Sequence, residues 1–64
     1  MYALRQKGTL HTYFKSMYAR QTEYRTTEFL SRAAIFVVLD SARQLAAKFD
    51  DLEIYDVNKE CVVT

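Results

Sequence analysis

The residues that could do chemistry in this 64-residue chain are few and widely spaced. His11 and Cys61 are the single histidine and the single cysteine. Nucleophilic catalysis by such a pair needs the two side chains in contact and a third group that orients the base, and nothing in their spacing indicates this. One Cys and one His cannot fill a tetrahedral zinc site, and one glycine cannot build a phosphate-binding loop. We therefore expect no enzyme, no cofactor and no metal site.

Aromatic and basic residues are concentrated in the first half of the chain. Tyr and Arg are enriched at interface hot spots because they bury a large area and carry a polar end. Aromatic and basic side chains on a sheet can also bind single-stranded nucleic acid, by base stacking and phosphate contacts. A third possibility is that the tyrosines only pack around a small core. We expect a protein-binding face, with a nucleic-acid face as the less favoured alternative and packing alone as the third reading. The predicted contact residues are Tyr13, Lys15, Tyr18, Arg20, Tyr24 and Arg25.

Composition predicts one small folded domain spanning residues 1–64. Half of the residues are hydrophobic, with one Gly and no Pro, which argues against disorder. A single cysteine and the lack of an apolar run of about 18 residues favour a cytoplasmic protein with no membrane span and no disulfide. At this size one core is only marginally sufficient, so a homodimer is plausible.

The net charge of +1 conceals an asymmetry between the two halves of the chain. Residues 1–32 hold six basic and two acidic residues, whereas residues 33–64 hold three basic and six acidic ones. Such a split can mark a polar binding face, but in a small chain it more often reflects complementary charges on neighbouring elements.

The stretch Ala33–Phe49 predicts the element around which the rest is arranged. Ile35–Leu39 is an unbroken apolar run with three β-branched residues, typical of a strand buried on both faces. Ser41 then fits a capping box with Gln44, and the helix that follows has an apolar face at i, i+3, i+4 and i+7, formed by Ala42, Leu45, Ala46 and Phe49. One continuous helix from Thr27 to Phe49 is the competing interpretation.

The flanking segments predict the other strands. Alternation over residues 1–7 and 10–18 around the turn at Gly8 predicts an antiparallel hairpin, with Leu10 and Phe14 pointing inward. Residues 52–57 predict a final strand, which residues 58–60 interrupt before residues 61–63.

Residues 19–32 allow several readings: a loop, an edge strand over Thr22–Thr26, or a short helical turn. We favour an exposed connection in which Phe29 and Leu30 fold back onto the core.

These elements predict an α+β fold. We expect a small three- to four-stranded sheet, made of the N-terminal hairpin and a β-α-β unit, with one helix packed on one face. About twelve residues separate the two apolar strands, which is enough for a crossover that pairs them in parallel.

This layout resembles that of small phage-encoded proteins that act on host machinery. The likeness rests on an opening Tyr2–Arg5 strand, a glycine turn, an A-x-I-F strand, an A-R-x-x-A-A-K helix and a closing Tyr/Val strand. The later matching residues are Ala33, Ile35, Phe36, Ser41, Ala42, Arg43, Ala46, Ala47, Lys48, Ile54, Tyr55 and Val57. It covers about two thirds of the chain, excludes residues 19–32 and transfers no functional residue. The resemblance implies a compact inhibitor or adaptor that binds a host protein, such as a polymerase, nuclease or defence complex, in the host cytosol.

Overall fold

A computed structural model describes residues 1–19 and 22–63 and shows a five-stranded antiparallel sheet with one α-helix. The strands lie in the order β3-β2-β1-β4-β5. Their bounds are Tyr2–Gln6 (β1), Tyr13–Met17 (β2), Tyr24–Thr27 (β3), Leu52–Asp56 (β4) and Cys61–Val62 (β5), with a 3₁₀ turn at Leu30–Arg32 and the helix α1 at Leu39–Ala46. The α+β class is confirmed, and the sheet has one strand more than the upper expected number.

The predicted N-terminal hairpin is confirmed. β1 and β2 are antiparallel, with Arg5 opposite Tyr13, and Gly8 takes the positive φ of 80° that the turn requires. Phe14 points into the core as expected. Leu10 does not, because the strand begins only at Tyr13 and Leu10 lies in the connection, 72% exposed.

The segment after β2 forms a second hairpin. β3 pairs with β2 along one edge of the sheet, so the edge-strand alternative, shifted by one or two residues, describes it best. A bulge between Phe14 and Ser16 skips Lys15 in the pairing. Because the bulge reverses the alternation, Phe14 and Met17 reach the same core. Leu30 packs on the core as predicted, whereas Phe29 remains exposed, contrary to the prediction.

The predicted β-α-β unit does not form. All strand pairs are antiparallel, and β4 pairs with β1 in the register Tyr2 opposite Asp56 to Gln6 opposite Leu52. The apolar run Ile35–Leu39 is not a strand of the sheet. Its link to the sheet is a single bridge, in which Phe36 and Tyr2 exchange N–H···O bonds of 2.7 and 2.8 Å. A strand that is apolar on both faces needs cover on both faces, and the one helix of this fold covers a single face.

The helix begins three residues earlier than predicted. Val38, not Ser41, is the N-cap residue, and no side chain caps the helix, so the predicted capping box is wrong. The predicted apolar face is confirmed: Ala42 is buried, and Leu45, Ala46 and Phe49 pack against the same cluster. The competing helix over residues 27–49 is excluded by β3, the 3₁₀ turn and the bridge at Phe36.

Two clusters of buried side chains lie on opposite faces of the sheet, because neighbouring residues of a strand point to opposite sides. Under α1, the core consists of Leu4, Phe14, Ala42 and Leu52. On the other face, Ala3 and Tyr13 pack with Ala33, which the chain after the 3₁₀ turn brings over the sheet. The radius of gyration is 10.5 Å, close to the roughly 10.7 Å expected of a compact domain of this length.

Candidate functional site

The structure divides the predicted contact residues between the two faces and the edge of the sheet. Tyr13 is buried on the face away from α1, where its hydroxyl donates to the carbonyl of Leu10 at 3.2 Å and its ring lies 6.2 Å from that of Tyr55. Lys15 is exposed at the bulge, and Arg20 lies outside the described residues. The predicted residues therefore do not form a single exposed face.

Tyr24 packs on the other face, beneath the end of α1. Its ring lies 5.7 Å from that of Phe14 and meets that of Phe49 edge to face at 4.8 Å. Its hydroxyl donates to a carboxylate oxygen of Asp51 at 2.6 Å and accepts from the side-chain amide of Gln6 at 2.9 Å. Burial, and then the bond to Asp51, raise the pKa of Tyr24 above its ordinary value of 10.0, because both favour the neutral phenol.

Tyr18 and Arg25 are the predicted residues that the structure leaves exposed and brings together. The Arg25 guanidinium carbon lies 4.8 Å from the centre of the Tyr18 ring, and Tyr18 is 44% exposed. This distance is within the range of a cation–π contact. The pair occurs because β3 folds back on β2, which places the start of β3 beside the end of β2.

An open cleft of about 490 Å³ lies between this hairpin and the turn that follows α1. We call it the aromatic cleft. Its lining includes three aromatic rings, two carboxylates and one amide, from Tyr18, Tyr24, Phe49, Glu23, Asp51 and Gln6. Among the described residues that line the cleft, none is Lys or Arg. Tyr18 and Tyr24 were predicted as contact residues, whereas Glu23, Asp51 and Phe49 were not. Glu23 is the sequence neighbour of Tyr24, but Asp51 and Phe49 come from a distant part of the chain.

The face away from α1 carries a compact polar group. Arg5 donates two hydrogen bonds, of 2.7 and 2.9 Å, to one carboxylate oxygen of Glu53 on the neighbouring strand, and its guanidinium lies 4.9 Å from the centre of the Tyr55 ring. This ion pair joins the basic and the acidic half of the chain, in line with complementary charges on neighbouring elements. Because the charges of Arg5 and Glu53 are paired within the fold, we infer that this group stabilises the sheet and does not bind a ligand.

A second exposed feature is the segment Ile35–Val38, which the apolar pattern of the sequence predicts to be buried. Ile35, Val37 and Val38 are exposed by 41%, 77% and 58%. Phe36, between them, is the residue that bonds to β1 and packs under α1. One signal in the sequence could have indicated this. A single predicted helix cannot cover both faces of an apolar strand, so part of such a run must lie at the surface.

His11 and Cys61 lie at opposite ends of the sheet. His11 is in the connection that follows the end of β1, whereas Cys61 pairs with Asp56, which in turn lies opposite Tyr2 at the start of β1. A strand of five residues separates these ends by roughly 13 Å. Within residues 1–19 and 22–63, no group of three or more His, Cys, Asp or Glu side chains is placed to hold a metal ion.

Comparisons with protein-family models, with curated protein sequences and with solved structures find no match to this chain. In the part of the chain that the structure describes, the helices are too short or too polar to cross a bilayer.

Proposed function

We propose that this protein is a non-enzymatic protein-binding module that contacts its partner through the Ile35–Val38 segment. The observation that carries this proposal is the exposure of three β-branched apolar side chains within four consecutive residues. Single apolar residues at a surface are ordinary, whereas contiguous exposed apolar groups are typical of interaction sites. The partner surface that fits such a segment is itself apolar.

The free-energy gain available at this segment is substantial. Full burial of a Val or Ile side chain stabilises a complex by roughly 1.5–3 kcal/mol relative to exposure in water. Val37 and Val38 lie in the connection to α1, and their side chains are largely free of the core in this fold. A partner that covers them gains this energy without disturbing the sheet.

Val38 gives the proposal independent support. Its backbone is extended, with φ −103° and ψ 128°, and it holds the N-cap position of α1. Ser, Thr, Asp and Asn are preferred at an N-cap because their side chains accept a hydrogen bond from the helix start, and Val is among the poorest residues there. Since Val38 is exposed, the core does not compensate for the missing cap. An interaction with a partner supplies a reason for an apolar residue at this position.

The Tyr18–Arg25 pair remains a candidate second contact for the same partner. Both residue types are common at interface hot spots, and the pair is exposed at an edge of the sheet. The nucleic-acid alternative has less support, because base stacking needs accessible rings and Tyr13 is buried while Tyr24 is packed between Phe14 and Phe49. A phage origin, inhibition of a host protein and a cytoplasmic location stay predictions.

The test is a quantitative pull-down with the tagged full chain and three variants. Val37→Asp places a charge at the exposed centre of the segment, and Val37→Thr replaces a methyl group by a hydroxyl with little change in shape. Gln44→Glu adds the same charge as Val37→Asp at an exposed position of α1 and serves as the matched control. We expect one protein to be recovered equally by the wild type and Gln44→Glu, weakly by Val37→Thr and not by Val37→Asp.

Two outcomes would contradict the proposal. Equal recovery of the partner by the wild type and Val37→Asp would show that the segment is not in the interface, provided that NMR spectra show both proteins to be folded. Analytical ultracentrifugation provides the second outcome. If the wild type is a dimer and Val37→Asp is a monomer, the partner of the segment is a second copy of the chain and not another protein. A Tyr18→Ala, Arg25→Ala variant in the same assay decides whether this pair contributes.

A further inference from the structure

We propose that the Ile35–Val38 segment binds its partner by strand addition, in which an extended apolar stretch of the partner protein pairs with the backbone of Ile35 and Val37. This inference rests on the proposed function and states how that site recognises its partner. In strand addition, backbone hydrogen bonds hold the added strand, and alternate side chains provide the specificity.

The segment already lies as a short strand along one edge of β1. Tyr2 is opposite Asp56 of β4 on one side, so the two bonds that Tyr2 exchanges with Phe36 lie on the other side, which is the side of β2. The described pairing of β1 with β2 is limited to Arg5 opposite Tyr13. The edge of β1 at Tyr2 is therefore not covered by β2, and Phe36 occupies it.

The backbone of the segment has a bonded side and a free side. Phe36 exchanges its two bonds with β1, and the N–H of Ala34 donates to the carbonyl of Phe14 at 3.1 Å. Successive residues of an extended chain direct their N–H and C=O groups to opposite sides. Ile35 and Val37 therefore direct theirs away from the sheet, and within residues 1–19 and 22–63 these groups make no backbone hydrogen bond. An added strand can bond to all of them.

The chain next to the residues that the structure does not describe lies away from this edge. Thr22 lines the aromatic cleft together with Gln6, and Gln6 is at the opposite end of β1 from Tyr2, roughly 13 Å away. Val63 bonds to β4, and β1 lies between β4 and the segment. Neither stretch borders the free side of the segment.

The side chains favour an apolar strand as the occupant. Ile35 and Val37 are two residues apart, so they lie on the same face of the extended chain, where they are 41% and 77% exposed. Residues 34–38 contain no charge, Pro or Gly, the usual devices that protect a free edge from pairing. An unprotected apolar edge tends to aggregate unless a partner strand covers it. The strand that fits has β-branched apolar residues at every second position, because such cross-strand pairs are favourable.

The first test uses two blocked peptides of the same sequence, acetyl-KVTVTVK-amide, in titrations of the ¹⁵N-labelled full chain. One peptide carries N-methyl groups on two valines, and the other carries them on both threonines. Each modification removes N–H donors from one edge of the strand, so the isomers differ in hydrogen bonding and hardly in apolar surface. We expect saturable shifts at the amides of Ile35 and Val37, and affinities that differ at least about tenfold between the isomers.

The order of the two affinities gives the direction of the added strand. Tighter binding of the threonine-methylated isomer shows antiparallel pairing, in which the valines opposite Ile35 and Val37 donate. Tighter binding of the valine-methylated isomer shows parallel pairing, in which the threonine between them donates. Either order supports strand addition. Equal affinities, or no saturable shift up to several millimolar peptide, would overturn it. Self-association of the free chain through the same amides would overturn it too, because the occupant would then be a second copy.

Two variants test the same point from the side of the protein. Val37→Pro keeps an apolar side chain but removes the outward N–H, whereas Val37→Thr keeps the N–H and the β-branched shape. We expect Val37→Pro to weaken binding of the better isomer at least about tenfold and Val37→Thr only a few-fold. An interface made by side chains alone predicts the reverse order, which would refute strand addition. Unchanged amide shifts in β1 and β4 show that the fold is retained; if Val37→Pro alters them, the peptide isomers alone decide.

The pull-down separates this inference from the proposed function. Loss of the partner in Val37→Asp, together with better recovery by Val37→Pro than by Val37→Thr, would refute strand addition and keep the segment as the binding site. Full recovery by Val37→Asp would refute the site itself. Recovery by Val37→Thr and not by Val37→Pro supports both the site and the strand that occupies it.

Discussion

Tyr24 joins three segments that are far apart in the chain. Its hydroxyl links Gln6 on β1 to Asp51 in the turn before β4, and its ring contacts Phe14 and Phe49. It was predicted as a partner contact, and the structure adds a role in holding the hairpin against the end of α1. The same residue therefore shapes the aromatic cleft and stabilises the fold.

Replacement of Tyr24 by Phe should lower the free energy of unfolding by about 1 kcal/mol, the usual net value of a lost hydrogen bond whose partners can reach water. Urea denaturation followed by circular dichroism measures this change. Tyr18→Phe, at an exposed position, is the control and should change stability by less than about 0.5 kcal/mol. An equal loss in both variants would contradict the role assigned to the Tyr24 hydroxyl.

The raised pKa of Tyr24 adds a pH dependence to this difference. The folded state holds the phenol proton more tightly than the unfolded state, whose pKa is near the ordinary 10.0. The resulting stability is present below pH 10 and is lost as the pH rises through the higher folded pKa. The difference in unfolding free energy between wild type and Tyr24→Phe should therefore shrink above about pH 10. If this difference in unfolding free energy stayed constant from pH 8 to pH 11, the ionisation of Tyr24 would not contribute to the pH dependence of stability.

At the scale of elements, a substitution at the start of α1 should change the stability of the fold and the binding of the partner in opposite directions. Val38→Asn introduces a good N-cap at the observed start of α1 and should raise the free energy of unfolding by about 0.5–1 kcal/mol. It also removes an exposed apolar side chain from the proposed interface. We therefore expect a more stable protein, measured by urea denaturation, that binds its partner less well in the pull-down.

Val37→Asn is the matched control for this prediction. It removes an apolar side chain from the neighbouring position but lies outside the cap, so it should weaken binding with no gain in stability. Ser41→Ala should change stability little, because Ser41 lies inside the helix and is not its cap. Equal stabilities of Val38→Asn and Val37→Asn would contradict the observed helix start.

At the scale of the whole molecule, one helix and one sheet give the protein a core under α1 and a smaller cluster on the opposite face. Leu4 is the largest fully buried side chain and lies on the central strand. A domain of this size is stable by roughly 3–10 kcal/mol. Because truncation of a buried Leu costs about 2–5 kcal/mol, Leu4→Ala should remove about half of this stability.

Val37→Ala, in the exposed segment, is the control for Leu4→Ala. It should change the free energy of unfolding by less than about 0.5 kcal/mol, since the side chain is 77% exposed. Far-ultraviolet circular dichroism and tyrosine fluorescence should report one common midpoint for the wild type and Val37→Ala, as expected of a small cooperative domain. If Val37→Ala were as destabilising as Leu4→Ala, the segment would be part of the core after all.

The α+β class, the N-terminal hairpin, the final strands and the apolar face of α1 follow from the sequence, because each depends on local patterns. Alternation with a period of two, a glycine at a turn and the i, i+3, i+4 spacing are properties of neighbouring residues. Phe14, Ala42 and Leu52 could be assigned to the core on this basis, and their burial confirms it.

The aromatic cleft, and which residues of the apolar run are exposed, could be decided only by the tertiary structure. Tyr13 and Tyr24 look alike in the sequence, but the hairpin places them on opposite faces of the sheet. Asp51 and Phe49 join Tyr18 only because β3 folds back beside the end of α1. The run Ile35–Leu39 has the composition of a buried strand, but burial also requires a layer on each side. The local sequence determines where apolar residues occur along each element. The number of layers that a short chain can build determines which of these residues are buried and which stay exposed.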